Sequence, residues 1–237
     1  FNLWLVTNVT LDNTITGSQR QQYSRFYNYS FGKYDARARQ FRGFQFVQVQ
    51  NNDTVVKHYF HQDDARAGRE FATSVHNISS AVYQNTSSDW TVTNTKGYNV
   101  TLLVGQRIAS FDGTTGSRSV NTTYSYDVFG NPVEVNSSGD MDISGDEIYQ
   151  RMVYVNNSAL WIVRLENQSV YGFAPSILMK RTLYLYDNNG LQGVPTKGDM
   201  TRKEEWSNSS ADMVAYYGYD SYGNVVQVND TFNRTAN

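Results

Sequence analysis

Apolar and polar residues alternate with a period of two along much of this chain. The alternation is clearest at Phe44–Val49, Val133–Val135 and Val225–Val228, and Gly or Asn bounds each run. Successive side chains of a β-strand point to opposite faces, so the pattern predicts strands with one apolar face. No segment combines a helical period with capping residues at its ends. The sequence therefore predicts an all-β fold.

A hairpin-like repeat marks the second half of the chain. Tyr124–Asn136 recurs ninety-three residues later as Tyr217–Asn229, and Tyr184–Gly190 is a shorter third copy. Both long copies contain Tyr-Asp, two residues and Gly-Asn, followed by Val at alternate positions. They predict a strand, a tight turn in which glycine adopts positive φ at little cost, and a returning strand. Because one hairpin cannot bury its own apolar face, such repeats favour a sheet wound into an open spiral or solenoid.

The composition gives no sign of a domain boundary. The chain has three prolines and no proline-rich or Gly/Ser-rich linker. We therefore expect a single module over residues 1–237, with leading strands in 1–120 and the Tyr-Asp repeats in 121–237. Eighteen tyrosines and an aromatic content of 14% favour rings that pair across strands.

The Tyr-Asp and Gly-Asn motifs resemble the signature of the YD-repeat (Rhs) family. Further segments follow in an order that resembles the shell segment of B-type subunits of insecticidal toxin complexes: Leu5–Thr10, Tyr34–Phe44, Tyr59–Asp63, Gly139–Asp140, Trp161–Val163, Gly198–Arg202 and Glu205–Trp206. The resemblance spans nearly the whole chain, and it rests on this order more than on any single motif.

This resemblance implies a long β-sheet wound into a spiral. In the toxin members the spiral closes into a hollow shell around a C-terminal toxic segment, and teneurins carry a related shell outside animal cells. Many members end the shell with a self-cleaving aspartate motif that contains Asp-Pro. The present chain has no Asp-Pro dipeptide, so neither self-cleavage nor a cargo is expected from the resemblance.

Asparagine is placed with a strong bias along the chain. Thirteen of 23 asparagines begin an Asn-X-Ser/Thr triplet without proline at X, whereas 42 Ser and Thr among 237 residues would give about four by chance. The triplet, or sequon, is the acceptor for N-linked glycans in secreted proteins. We expect glycans, mainly at polar turns, on Asn8, Asn28, Asn52, Asn77, Asn85, Asn99, Asn121, Asn136, Asn156, Asn167, Asn208, Asn229 and Asn233. The alternative is a turn-rich composition that produces triplets by accident.

Sequons in such number are foreign to bacterial members of the family, so they predict a secreted or cell-surface eukaryotic glycoprotein. A net charge of −2 without an asymmetric charge pattern argues against nucleic acid as a partner. No stretch approaches the roughly 18 apolar residues that span a bilayer. The chain has no cysteine, so packing and backbone ladders must hold the fold together outside the cell.

Two clusters of candidate ligands could hold a metal. His58 and His61 stand near Asp63 and Asp64, but positions three apart in a strand point to opposite faces, so we predict no metal there. Oxygen ligands alternate around a glycine at Asp140, Asp142, Ser144 and Asp146, as at the opening of a calcium loop. The twelfth position is Arg151, where an EF-hand has glutamate. We therefore prefer an acidic turn and keep calcium as the alternative.

A basic and aromatic stripe runs through the segment 37–46. Arginines at 37, 39 and 42 interleave with phenylalanines at 41, 44 and 46, a pattern that can bind nucleic acid. In a strand these residues would separate into a core face and a solvated or carboxylate-paired face, and we prefer that interpretation. No nucleophile motif such as Gly-X-Ser-X-Gly is present, so we predict no enzymatic activity.

These features predict a structural component of an extracellular glycoprotein fibre or coat, with N-glycans and no cofactor unless calcium binds. The apolar run Phe1–Val9 has no hairpin before it, and the segment Asp220–Asn237 ends in a turn without a following strand. Exposed strand edges favour association, so we expect copies to assemble head to tail as a repeating array. The alternative is a shell module of a secreted toxin or of a teneurin-like adhesion protein.

Overall fold

The computed structural model describes residues 3–15, 21–95, 97–112, 117–173, 177–208, 211–231 and 235–236. Every regular element in these ranges is a β-strand, which confirms the all-β prediction. The strands are β1 (Asn8–Asp12), β2 (Gln22–Asp35), β3 (Gln40–Gln50), β4 (Thr54–Phe60), β5 (Glu70–Asn77), β6 (Val82–Thr95), β7 (Tyr98–Phe111), β8 (Ser117–Tyr126), β9 (Pro132–Ser137), β10 (Ile148–Asn157), β11 (Ile162–Gly172), β12 (Ile177–Tyr186), β13 (Met200–Glu205), β14 (Met213–Tyr219), β15 (Val225–Asp230) and β16 (Thr235–Ala236).

All of these strands belong to one open sheet in which their order is the order of the chain. The paired strands for which a register is defined are antiparallel. This is the topology of successive hairpins, so the predicted hairpin-built open sheet is confirmed. None of the described elements is a helix long and apolar enough to cross a membrane.

Contacts group the chain into two compact units. The first comprises Phe1–Thr123 and Asp140–Asp142, and the second comprises Tyr124–Gly139 and Ile143–Asn237. The single module over residues 1–237 stays a prediction.

Two adjacent rows of side chains in the first unit point to opposite faces of the sheet and differ chemically. Tyr27 lies opposite Val49, Val49 opposite Val56, and Val56 opposite Val75, which gives one face a row of apolar side chains. The adjacent row points to the other face, which we call the sequon face, and contains Asn28, Gln48, Lys57, Ser74 and Asn85. This division follows from the period-two pattern, since directly opposite residues share a face.

Aromatic rings pair across the strands of the first unit, as the tyrosine and phenylalanine content predicts. Phe46 on β3 contacts Tyr59 on β4 with 5.2 Å between ring centroids, and Tyr29 on β2 contacts Phe44 on β3 at 5.0 Å. A register shift between β2 and β3 interrupts the alternation here. Phe44 consequently packs on Phe41 at 5.2 Å, although residues three apart in a regular strand point to opposite faces.

The second unit contains most of the buried side chains among the described residues. The buried apolar side chains are Met152, Val155 and Leu185, and Pro195 is fully buried. Pro195 belongs to the loop between β12 and β13, and its carbonyl oxygen accepts a hydrogen bond from the Asn157 side chain at 2.9 Å. The buried Glu166 carboxylate accepts the backbone N–H of Gln192 from the same loop. This loop therefore folds onto the sheet and supplies part of its core.

Candidate functional site: the Tyr-Asp turns and the sequon-bearing strands

The Tyr-Asp motif forms a defined turn between β8 and β9. The Asp127 carboxylate accepts backbone N–H groups from Phe129 at 2.8 Å and Asn131 at 2.9 Å, and the Asn131 side-chain amide donates to its other oxygen at 3.0 Å. Gly130 has a φ of 85° and donates its N–H to the Asp127 carbonyl oxygen. The positive φ is the feature that the sequence predicts for this turn.

The copy between β14 and β15 repeats this geometry. The Asp220 carboxylate accepts the N–H of Tyr222 at 2.8 Å and that of Asn224 at 2.9 Å, while the Asn224 amide donates at 2.9 Å. Gly223 has a φ of 86°. Hydrogen bonds from the Asn224 side chain and backbone lower the pKa of Asp220. The two long sequence copies are therefore structural copies, and the prediction of tight Gly-Asn turns is confirmed.

The third copy has a different structure, and its Gly190 does not close a tight turn. Asp187 begins the loop 187–199, where one carboxylate oxygen accepts the N–H groups of Thr196, Lys197 and Gly198 at 2.6, 2.9 and 3.0 Å. The other oxygen accepts the N–H of Asp199 at 3.0 Å. Desolvation alone would raise the pKa of Asp187, but these four donors outweigh it and lower the pKa to about 2.

A fourth Tyr-Asp turn, which the sequence indicates only through the family resemblance, begins at Asp35, the last residue of β2. Asp35 accepts the N–H of Ala38 at 2.9 Å and that of Arg37 at 3.0 Å, and its second oxygen accepts from Arg42 at 3.1 Å. These bonds, led by the one from Ala38, lower the pKa of Asp35. The dipeptide Tyr34-Asp35 was the available signal, but no Gly-Asn follows it.

The tyrosines of two of these motifs tie neighbouring strands together. The Tyr186 hydroxyl donates to the Leu165 carbonyl oxygen on β11 at 2.8 Å, and the Tyr219 hydroxyl donates to the Met200 carbonyl oxygen on β13 at 2.8 Å. Burial raises the pKa of both phenols. The Tyr-Asp pair therefore couples a strand end to the next turn through aspartate and to the preceding strand through tyrosine.

The sequons lie mainly in strands, so the expectation that they occupy turns is wrong. In the described residues the sequon asparagines within strands are Asn8, Asn28, Asn77, Asn85, Asn99, Asn121, Asn136, Asn156, Asn167 and Asn229. Asn52 and Asn208 lie between strands, and Asn233 lies outside the described residues. The physical reason is that an open sheet exposes polar side chains along its strands as well as at its turns. Asn-X-Ser/Thr in a strand places the asparagine and the hydroxyl on one face.

Exposure divides the described sequon asparagines into two classes. The exposed ones are Asn8, Asn28, Asn52, Asn85, Asn99, Asn156 and Asn208. The half-buried ones are Asn77, Asn121, Asn136, Asn167 and Asn229. Two of the half-buried amides have structural contacts: Asn77 accepts the N–H of Ala81 at 2.8 Å, and Asn167 accepts the hydroxyl of Ser169 at 3.0 Å. In the exposed class, the Asn85 oxygen accepts the hydroxyl of Ser74 at 2.5 Å and the Asn99 oxygen accepts the side-chain amide of Asn94 at 3.1 Å, so the nitrogen that would carry a glycan takes part in neither bond.

The candidate metal ligands take part in other local interactions. His58 Nδ1 lies 2.6 Å from Glu70 Oε1, and His61 Nδ1 lies 4.0 Å from Asp63 Oδ2. Desolvation lowers the pKa of His61. Among the described residues, no group of three or more His, Asp or Glu side chains is arranged to hold a metal ion.

The segment of the calcium hypothesis forms an acidic turn. Asp140 accepts the N–H of Asp142 at 3.3 Å and lies 3.6 Å from the guanidinium of Arg118. Ser144 follows in the same turn, and the Asp146 carboxylate lies against Gly139, where a Cβ would collide with it. Calcium binding by Asp140, Asp142, Ser144 and Asp146 stays the alternative hypothesis to a simple acidic turn.

Carboxylates pair with Arg42, the last of the three arginines in the basic and aromatic stripe. Arg42 lies 3.1 Å from Asp35 and 2.5 Å from Asp64. Phe41 and Phe44 pack on each other, as described above. Such a paired arginine is the arrangement that the carboxylate-paired interpretation predicts, in contrast to a free basic surface for nucleic acid.

Comparison with solved structures relates this fold to toxin-complex proteins. The crystal structure of TcdB2-TccC3 without its hypervariable C-terminal region matches 89% of this chain with a TM-score of 0.64 and 11% sequence identity. The Tc holotoxin pore of Photorhabdus luminescens matches 90% with a TM-score of 0.62 and 10% identity. The chain covers 18% and 19% of those chains, respectively. No protein-family model and no curated protein sequence matches it. Because the sequence identity is only 10–11%, the comparison establishes that this chain shares a fold with those proteins and nothing further.

Proposed function

We propose that this chain is a wall segment of a secreted, shell-forming protein of the toxin-complex or teneurin-like type, and that its role is structural. The observation that carries the proposal is the shared fold with TcdB2-TccC3 over nine-tenths of the chain. The Tyr-Asp repeats independently resemble the family whose sheets wind into hollow shells. A segment that covers about a fifth of a longer chain fits one part of such a wall.

The distribution of apolar side chains also supports a wall segment. Large apolar residues stay exposed in both units, for example Trp4 at 96%, Trp161 at 90% and Tyr222 at 90%. An isolated open sheet with so much exposed apolar surface and unpaired strand edges is prone to association. Further turns of the same sheet would cover part of this surface. A shell therefore explains the exposed apolar surface better than a free monomer does.

N-glycosylation is the second part of the proposal, and it implies an extracellular protein. Its support is the excess of sequons together with the exposure of seven described sequon asparagines. The head-to-tail fibre stays a prediction, and the shared fold favours the shell over it.

Electron microscopy of the full-length secreted protein that contains this chain would test the architecture. We expect hollow particles; filaments or elongated monomers would overturn the shell. Intact mass before and after treatment with a deglycosylating amidase would test the glycans separately. We expect a loss of several glycans, with occupancy concentrated on the exposed class. A shift of two glycans or fewer would overturn the secretory glycoprotein while leaving the shell fold untouched.

A further inference from the structure

An exposed aromatic ring stands beside a sequon on β2. Phe26, Asn28 and Ser30 lie opposite Gln50, Gln48 and Phe46 in a ladder that has no register shift over this stretch. Residues at i, i+2 and i+4 of a regular strand project from one face, so all three belong to the sequon face. Phe26 is 49% exposed and Asn28 is exposed.

A second sequon adjoins the same ring from the edge strand. Asn8 on β1 lies directly opposite Phe26, and Thr10, the hydroxyl residue of the Asn8 sequon, lies 3.1 Å from the Ser24 hydroxyl. Side chains of directly opposite residues are neighbours, with Cβ atoms about 5 Å apart. Phe26 is therefore an apolar residue between two asparagines that can each carry a glycan.

The same spacing recurs on β6 at Tyr83, Asn85 and Ser87, although a register shift between β5 and β6 falls at Tyr83. Exposure alternates along this stretch: these three residues are exposed, and the residues between them are half-buried. Tyr83 is 43% exposed. Beside Asn85 runs a shallow groove of about 370 Å³, whose lining includes Tyr59, Ala72 and Ala109. The small alanine side chains leave room for a sugar ring next to the asparagine.

We propose that Phe26 and Tyr83 are stacking platforms for the first sugar residue of N-glycans on Asn28 and Asn85. The inference rests on the glycosylation proposed above. A pyranose ring has an apolar face of C–H groups, and the face of an aromatic ring carries the negative part of its quadrupole, so the two attract each other. The strand fixes the ring two residues before the asparagine, where it flanks the glycosidic nitrogen. The sugar covers apolar surface that the described protein atoms leave exposed.

The sequon at Asn156 has the same spacing, but its aromatic ring has a different environment. Tyr154 also precedes its asparagine by two residues on a strand, but it is half-buried, and its hydroxyl donates to the Pro132 carbonyl oxygen at 3.1 Å. Because this ring packs against the protein, its face is less accessible to a sugar. The stacking role therefore belongs to the exposed pairs Phe26–Asn28 and Tyr83–Asn85.

A double-mutant cycle tests the platform at Phe26. The full chain would be secreted from a eukaryotic host as wild type, Ser30→Ala, Phe26→Ser and the double variant, and all glycans would be trimmed to the first N-acetylglucosamine. Ser30→Ala removes the sequon while keeping Asn28. We expect the loss of this single sugar to lower Tm by about 2–4 °C when Phe26 is present and by less than about 1 °C when it is replaced.

Tyr23→Ser supplies the matched control, because Tyr23 lies on the same strand at a position that faces the other side. In that background the sugar should retain its full effect. Equal Tm losses with and without Phe26 would overturn the stacking while leaving glycosylation intact. Site mapping that finds sugars on other sequons but none on Asn28 would overturn the platform at Phe26 alone, and a protein without sugar on any sequon would overturn the glycosylation as well. A wild-type dimer that Phe26→Ser converts to a monomer would show that a second copy covers the ring instead.

Discussion

Asp187 and Asp220 each follow a tyrosine at the end of a strand. The segments that connect these strands to the next ones nevertheless differ greatly in length. Asp220 closes the turn 220–224 with its own neighbours, whereas Asp187 binds the N–H groups of residues 196–199. Both aspartates have glycine three positions later. Only Gly223 has positive φ; in the other motif Asp187 and Asn188 adopt it, at 54° and 59°.

The residue four positions after the aspartate differs between the two motifs. It is Asn224 in the tight turn, where both its backbone N–H and its side-chain amide donate to Asp220. Asn131 makes the same two bonds to Asp127. After Asp187 this position is Leu191, which has no side-chain donor. The carboxylate then takes its donors from further along the chain, and the intervening residues fold onto the second unit as a loop.

The largest expected effect is that of Asp187→Ala. The substitution leaves four backbone N–H groups without their acceptor, so we expect a loss of about 2–3 kcal/mol in the free energy of unfolding. Urea denaturation measures it. Asp187→Asn keeps one acceptor oxygen and should lose less, and Asp220→Ala should also lose less because its donors are more exposed to water. Equal losses for the alanine variants at 187 and 220 would contradict the difference between the two motifs.

Gly223→Val should be the next largest effect. A β-branched residue at a φ of 86° is strained, and no neighbouring atom would contact the added Cβ, so backbone strain alone should cost about 1–2 kcal/mol. Gly190→Ala is the matched control, since Gly190 has no positive φ and its surroundings are open. We expect a lower Tm for the first variant and little change for the second. An unchanged Tm for Gly223→Val would refute the strained turn.

The comparison also shows where sequence reasoning succeeds. Alternation predicts β3, β9 and β15, because each strand carries its own apolar face. Gly-Asn predicts the two tight turns, because their hydrogen bonds are local. The Asp187 loop was not predictable in this way, since its donors come from residues about ten positions away and tertiary packing brings them back.

Two further features could not be predicted from the sequence, for similar reasons. The contact between Phe41 and Phe44 depends on a register shift that involves both β2 and β3. The placement of sequons in strands does not follow from the residue types, because asparagine and serine favour turns. Their position on the exposed face of an open sheet depends on what covers that sheet, which local propensity does not specify.

Acid should remove the stabilisation that the ionised Asp187 carboxylate provides, and this effect is smaller than those above. The pKa of Asp187 falls from 3.8 to about 2 in the folded protein, so its contribution is present above about pH 4 and is lost as pH falls toward 2. Solvent screening of this partly exposed group limits the contribution to about 1 kcal/mol. Urea midpoints of wild type and Asp187→Asn, measured from pH 7 to pH 2, should converge below pH 4. A constant difference across that range would contradict the ionic role of the carboxylate.

The smallest expected effect concerns the asparagine that closes the tight turns. Asn131→Ala and Asn224→Ala each remove one side-chain hydrogen bond to aspartate but keep the backbone N–H, so we expect losses of about 0.5 kcal/mol in urea denaturation. Leu191→Ala is the control at the equivalent position of the third motif, where an exposed side chain makes no such bond, and it should change stability less. If the asparagine variants kept full stability, the side-chain amide would be dispensable. The length of the connection would then depend on the position of the left-handed residues, Gly223 in one motif and Asp187 with Asn188 in the other.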